Sequence, residues 1–191
     1  MTCIIAARDE NKIVVGTDSL YYRPAGYNSY KNAEKIFKIK DFVIGGAGSI
    51  RINQIVRYYF KPPIKSNSMD DYEFMCSSFI DSLQACLKKN RMLKTVEGVS
   101  QAGEAVYFLV VYNNNFYTIW SHFGVIQWVE PYAAIGCGEN FSLGVLHALY
   151  NKEKDKKKLV EQALITTSYF DAGVKPPFSF IEVPIKNNKH K

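Results

Sequence analysis

Apolar and polar positions along this chain follow two periods in alternating blocks. Thr2 to Arg8 is rich in small and β-branched residues, Asp9-Glu10-Asn11 marks a turn, and Lys12 to Gly16 is β-branched again. That order predicts a hairpin beginning at the N-terminus. A second hairpin is predicted from Ala33 to Ile39 and Phe42 to Ala47, turning at Lys40-Asp41, with a Tyr-, Gly- and Pro-containing loop between the two. The period then becomes helical. Ile52, Ile55, Val56, Tyr59 and Phe60 share one face behind Ser49 as N-cap, and Pro62-Pro63 ends the pattern. A longer helix starts near Asp70, with Glu73 completing a capping box and a stripe running through Met75, Phe79, Ile80, Leu83 and Leu87.

After a polar link, Ala105 to Tyr112 and Phe116 to Trp120 form a third predicted hairpin around Asn113-Asn114-Asn115, and Gly124 to Trp128 adds a short strand. Tyr132 to Gly136 is an apolar strand leading into a helix from about Glu139 to Tyr150. A Lys-rich link, a helix from about Lys157 to Phe170 and a last strand, Phe178 to Ile185, complete the chain. Pairs of helices between blocks of hairpin-connected strands predict an α+β fold, a four-layer αββα sandwich of two antiparallel sheets flanked by helices. The whole chain, 1–191, reads as one domain, with 186–191 as a disordered basic tail.

Composition narrows the function classes. The apolar runs fall short of the roughly 20 residues that cross a bilayer, and the first residues lack the pattern of a secretory signal, so no membrane association and a cytoplasmic location are expected. The net charge of +6 is spread along the chain apart from Lys152 to Lys158 and the Lys186 to Lys191 tail, a distribution that argues against nucleic acid. Lys152 to Lys158 reads as a solvated helix connection. Cys3, Cys76, Cys86 and Cys137 are scattered, without metal-ligand spacing, so reduced thiols, no metal and no cofactor are expected.

Candidate chemistry begins at Thr2. Loss of Met1 would leave Thr2 with a free α-amine, whose unperturbed pKa of about 7.7 to 8.0 makes it a usable base beside its own hydroxyl. Downstream, Gly16-Thr17-Asp18-Ser19 closes the first hairpin, Asn32-Ala33-Glu34-Lys35 opens the second, and Gly45-Gly46-Ala47-Gly48-Ser49 ends it at a helix start. A lysine near the nucleophile favours an alkoxide, an aspartate keeps that lysine charged, and a glycine N–H stabilises an oxyanion. Each piece also has a plainer reading. Asp18 and Lys35 alone fit a structural ion pair, and the glycines fit a tight strand-to-helix turn. Cys3 fits a core thiol facing away from Thr2, and His122 and His147 lack partners for a His-based triad.

Taken together these residues resemble the proteasome β-subunit family of N-terminal-nucleophile hydrolases. The likeness is closest to the bacterial proteasome-like peptidase of the two-component ATP-dependent protease, and extends to small bacterial and phage proteins of the same group. The resemblance spans nearly the whole chain. It puts Thr2 on the family's N-terminal threonine, Asp18 on the aspartate ending the second strand, Lys35 on the lysine of Asn-Ala-x-Lys, and Gly48 on the oxyanion glycine. It aligns Ala134-Ile135-Gly136-Cys137-Gly138 with an Ile-Gly-Ser-Gly stretch, and Asp171 with a late aspartate supporting the terminal amine. Cys137 and Val174 stand where the family has serines, so the network around the amine is altered; Cys137 reads either as a small buried residue or as a polar support, and Asp171 either as that aspartate or as a helix-end residue.

The resemblance implies a threonine-nucleophile amidohydrolase, a peptidase on peptides or unfolded proteins, assembled as a homo-oligomeric ring, with an ATPase partner by analogy only. The alternatives are a non-catalytic structural ring subunit with the same fold and a small-molecule amidase.

Overall fold

A computed structural model describes residues 1–23, 26–29, 34–96 and 98–185, the side chains of 22, 23, 26–29 and 96 aside. The predicted start of the second hairpin at Ala33, the Asn32-Ala33 half of its motif and the 186–191 tail lie outside the described residues.

The N-terminal hairpin, β1 (Cys3–Arg8) and β2 (Lys12–Thr17), forms the centre of a four-stranded antiparallel sheet. Its flanks are β12 (Tyr132–Gly136) beside β1 and β13 (Ser179–Pro184) beside β2. Both faces of β1 are buried, which explains why its sequence alternates poorly. Cys3, Ile5 and Ala7 pack toward α4 (Glu139–Leu149) and α5 (Lys156–Phe170), while Ile4 and Ala6 face the second sheet.

The second sheet has five strands. Its order is β11 (Val125–Gln127), β10 (Asn115–Ile119), β9 (Val106–Tyr112), β6 (Phe42–Gly48) and β5 (Ile36–Ile39). The β9–β10 turn places Asn113 and Asn114 at φ 45° and 66°, the backbone of a primed hairpin turn that Asn tolerates best among non-glycine residues. Outside this sheet lie α1 (Ile50–Tyr59) and a continuous helix made of α2 (Asp71–Phe74), a π-helical turn (Met75–Phe79) and α3 (Ile80–Lys89). Both N-caps form as predicted: Ser49 Oγ accepts from Ile52 N at 3.2 Å, and Asp70 Oδ1 from Glu73 N at 2.8 Å.

Three apolar clusters correspond to the three interfaces of an αββα sandwich. One lies between α1–α3 and the five-stranded sheet, one between the sheets, and one between the four-stranded sheet and α4/α5.

Three local expectations are corrected. The loop expected after the first hairpin contains the short pair β3 (Leu20–Arg23) and β4 (Gly26–Ser29), and the expected polar link after α3 contains β7 (Leu93–Val96) and β8 (Val99–Ala102). Both pairs stand outside the main sheets and each strand is only four residues long, so the period-2 signal is weak. Within the Lys-rich link, Lys156 is buried: its ammonium donates to the carbonyls of Tyr150 and Glu153, both at 2.8 Å, and lies 4.0 Å from the Tyr150 ring centroid. Among the described residues, no helix is long and apolar enough to cross a membrane.

Candidate active site

The first strand delivers Thr2 to the open end of the space between the sheets. Register explains the direction: Cys3 turns its side chain to the helices, so Thr2 turns the other way, toward Ala47 and Ile135. Thr2 is 4% exposed although it is one residue from the chain start. Its hydroxyl donates to the Met1 carbonyl oxygen. Its nitrogen, here the peptide amide joined to Met1, donates to Cys137 Sγ at 3.3 Å.

On one flank of Thr2 stand Asp18 and Lys35, both 1% exposed. Each carboxylate oxygen of Asp18 accepts from Lys35 Nζ at 2.9 Å. Oδ1 also accepts from Cys3 N and Oδ2 from Leu20 N, each at 2.9 Å, so the aspartate staples the start of β1 to the end of β2. Lys35 Nζ donates further to Leu20 O at 2.6 Å and to Met1 O at 3.4 Å. Burial pushes the Lys35 ammonium below the usual lysine range, and the adjoining Asp18 carboxylate opposes that shift. Two donors, the Thr2 hydroxyl and the Lys35 ammonium, thus converge on one carbonyl oxygen.

Gly48 ends β6 at φ +117°, and a Cβ there would overlap the Ala105 carbonyl oxygen. Only glycine suits that backbone and that space. The turn is held by Ser49 N donating to Ala105 O at 3.2 Å and by Asn53 Nδ2 donating to Gly46 O at 2.8 Å.

The other flank is built by the β12–α4 junction. Gly136 sits at φ +102°, where a Cβ would overlap the Thr2 carbonyl oxygen, so β12 comes into close backbone contact with the start of the first strand. Cys137 follows, solvent-accessible; its thiol accepts from Thr2 N and donates to Thr2 O at 3.4 Å, and it is pushed up by partial burial and by the nearby Asp171 carboxyl. It is therefore a neutral thiol at neutral pH. Asp171 is the C-cap of α5, and its carboxylate accepts from Gly173 N at 2.7 Å. It is thus a helix-end residue whose carboxyl lies near Cys137. Val174, where the family pattern has a serine, is fully buried and donates its N–H to Asp171 O at 3.1 Å.

The six candidate positions therefore lie around Thr2: Lys35 through the Met1 carbonyl oxygen that both contact, Asp18 through Lys35 and Cys3 N, Cys137 through the Thr2 backbone, Asp171 near Cys137, and Gly48 through a shared cavity. The residues read as bystanders lie elsewhere. Cys3 is a core thiol with its pKa pushed up to about 12 by burial, 3.0 Å from Ser142 Oγ. His147 Nδ1 meets the Tyr132 hydroxyl at 2.9 Å, and His122 Nδ1 accepts from Gly124 N at 3.1 Å.

Beside Thr2 opens a cavity of about 500 Å³, with Gly48 and Cys137 at its rim and Tyr107, Trp120, Ile126 and Trp128 in its walls. Sequence reasoning missed these walls and also Glu139, the first residue of α4, which lines the same space. The signal available was weak: Trp120 and Trp128 bracket a turn between two strands, and Glu139 had the look of an ordinary helix-start residue.

Among solved structures the fold recurs in Thiobacillus denitrificans BPH, with a TM-score of 0.79 and 19% identity over 97% of this chain and 100% of that one. It recurs in eukaryotic HslV from Trypanosoma brucei, TM-score 0.68 and 16% identity, covering 95% of this chain and 99% of that one. Anbu, the ancestral β-subunit from Yersinia bercovieri, matches at TM-score 0.66 and 14% identity, covering 96% of this chain and 81% of that one. Comparison with curated protein sequences returns no match. At these identities the structural likeness speaks for the fold alone, but the proteasome subunit family model matches residues 1–173 of the sequence itself. A sandwich whose N-terminal strand carries a buried threonine into a lysine–aspartate pair, matched over that length, belongs to the proteasome subunit family of N-terminal-nucleophile hydrolases.

Proposed function

We propose that the chain is a threonine-nucleophile amidohydrolase that cleaves peptide bonds through an acyl-enzyme on Thr2 after Met1 is removed. The observation that carries this reading is the convergence of the Thr2 hydroxyl and the Lys35 ammonium on the Met1 carbonyl oxygen, beside the glycine turn at Gly48. Once Met1 has left, the Lys35 ammonium is released from that carbonyl and lies where it can stabilise charge on the Thr2 hydroxyl oxygen.

The steps then follow from ordinary chemistry. The freed amine of Thr2 takes the hydroxyl proton, and Oγ1 attacks the amide carbon. Lys35 stabilises the charge on Oγ1, and the Gly48 N–H receives the oxyanion. Collapse of the tetrahedral adduct breaks the C–N bond, and the amine gives its proton to the departing nitrogen. Water, deprotonated by the same amine, then hydrolyses the ester and restores Thr2. Asp18 keeps Lys35 charged and in place, and Cys137, beside Asp171, seats the amine where the family uses a serine.

Assembly as a homo-oligomeric ring belongs to the same proposal. Phe141 stacks on Phe170 at 5.6 Å and Phe170 meets Tyr169 edge-on at 5.0 Å, an aromatic ladder exposed on the outer face of α4 and α5. Such a patch is unusual on a monomer.

The test is to mature the protein, confirm by mass spectrometry that it begins at Thr2, and expose it to epoxomicin, the ligand present in one Thiobacillus denitrificans BPH structure. A stoichiometric adduct on Thr2, with peptide hydrolysis lost in that adduct and in Thr2→Ala, is expected. Retained Met1 with no adduct and no turnover in the protein as isolated from cells would instead identify a non-catalytic subunit.

A further inference from the structure

The cavity beside Thr2 holds a carboxylate without a counter-charge. Tyr107, Thr118, Trp120, Ile126 and Trp128 line it, together with Glu139 from the first turn of α4. The walls are fixed: Trp128 Nε1 donates to Thr118 Oγ1 at 2.8 Å, and Tyr107 meets Trp120 edge-to-face at 5.4 Å. Among the described residues, Glu139 has no ion-pair partner. Desolvation alone pushes its carboxyl up, with no cation to oppose it.

We propose that this cavity is a subsite for a basic residue on the leaving-amine side of the scissile bond, with Glu139 as its recognition carboxylate. The inference rests on the amidohydrolase reading for the position of the scissile bond. The side is set by proton transfer: the Thr2 amine must hand its proton to the departing nitrogen, and that amine is seated against Cys137, two residues before Glu139. The residue that leaves with that nitrogen is the one carried toward Glu139.

The class of side chain follows from the cavity's composition. A lysine or arginine has an apolar stem that suits indole and phenol walls and a cationic head that suits both aromatic faces and a carboxylate. A neutral apolar side chain of the same length would cover Glu139 without pairing it, leaving a buried charge uncompensated. An acidic side chain would meet a like charge. Selection therefore acts twice, by attraction of the basic residue and by a penalty on its isosteres.

The chain's two tryptophans, Trp120 and Trp128, both line this cavity, so intrinsic fluorescence reports occupancy without any turnover. The chain beginning at Thr2 is titrated with two product mimics, lysyl-alanine amide and norleucyl-alanine amide. Lysyl-alanine amide is expected to bind at least fivefold more tightly, and Glu139→Gln is expected to bring the two affinities within about twofold. In parallel, quenched peptides differing only in lysine or norleucine after the scissile bond should show at least tenfold higher kcat/KM for lysine. Glu139→Gln should erase that ratio, lowering the lysine rate as the pairing is lost and raising the norleucine rate as the charge penalty is removed. Equal affinities in the unmodified protein, or a lysine preference that survives Glu139→Gln, overturns the subsite. Lysine-selective binding with no peptide turnover would sustain the subsite and sink the amidohydrolase reading, so the two fail separately.

Discussion

The two flanks of Thr2 are built to different standards. On the Lys35 side every charge is dry and paired: Asp18 accepts from Lys35 and from two backbone N–H groups, and Lys35 reaches two carbonyl oxygens besides. On the Cys137 side the Thr2 nitrogen meets a single sulfur at 3.3 Å, the thiol is solvent-accessible, and Val174 offers no side-chain donor. The first flank holds a permanent charge in low dielectric, where an unpaired group is expensive, so it must be complete. On the proposed mechanism the second would hold, once Met1 has left, an amine that exchanges its proton with substrate at each turnover, and a looser setting with solvent access is compatible with that task.

Breaking the first flank should therefore cost most. Lys35→Ala is expected to lower kcat by a thousandfold or more, since a charge-stabilising donor is worth about 10²–10³ on its own. It also strands Asp18, whose burial without a cation is expected to remove about 3–5 kcal/mol of stability. Urea titration followed by circular dichroism separates the two effects. A fully folded Lys35→Ala protein with wild-type turnover would reduce the pair to a staple between β1 and β2.

Next comes Gly136→Ala. Its φ of +102° and the overlap of a Cβ with the Thr2 carbonyl oxygen force β12 away from β1 at Thr2 itself. A loss on the order of 1–3 kcal/mol in stability is expected from the backbone alone, together with a fall in kcat out of proportion to that in KM. Gly144→Ala, on α4 with open space around it, serves as the control and should be neutral or slightly stabilising.

The same contrast explains what could be read before folding. The sandwich was legible because β1, β2, β6 and β9 carry uninterrupted apolar runs and the helices carry clean caps at Ser49 and Asp70. The Lys35 flank was legible because its parts come as short motifs at the ends of strands, where register fixes their direction. The cavity was not, because its walls come from the ends of β9, β10 and β11 and from the first turn of α4, brought together by tertiary contact alone. Nor was the π-helical turn at Met75–Phe79, because both ends of that segment still point to the core and a 3.6-residue pattern cannot display the extra residue. Lys156 went the same way: a lysine in a run of lysines carries no sign that it will cover Tyr150.

A smaller effect sharpens the comparison through pH. On the proposed mechanism Lys35 must be charged to act, and burial has moved its ionisation below the ordinary lysine value of about 10.4. The alkaline limb of kcat is therefore expected below that value. The sign for stability is opposite: a depressed lysine pKa means the unfolded chain binds more protons between the two values, so this group favours the fold more as pH rises through that window. Activity lost at high pH with the near-ultraviolet circular dichroism unchanged would be the expected pairing. Coincident loss of both would assign the limb to unfolding.

The smallest effect should come from the looser flank. Cys137→Ser replaces a neutral thiol, held so by burial and by Asp171, with the hydroxyl that the family pattern places there. Oxygen is the better hydrogen-bond partner for an amine, at a shorter distance than the 3.3 Å that sulfur keeps. If this flank works by seating the amine, Cys137→Ser should change kcat by less than about fivefold, and upward, while Cys137→Ala should lower it by about tenfold, roughly one hydrogen bond. The acidic limb of the profile is the separate readout. Losing an acceptor destabilises the protonated amine, so Cys137→Ala should shift that limb to lower pH, whereas a purely structural residue would change amplitude and leave the limb in place.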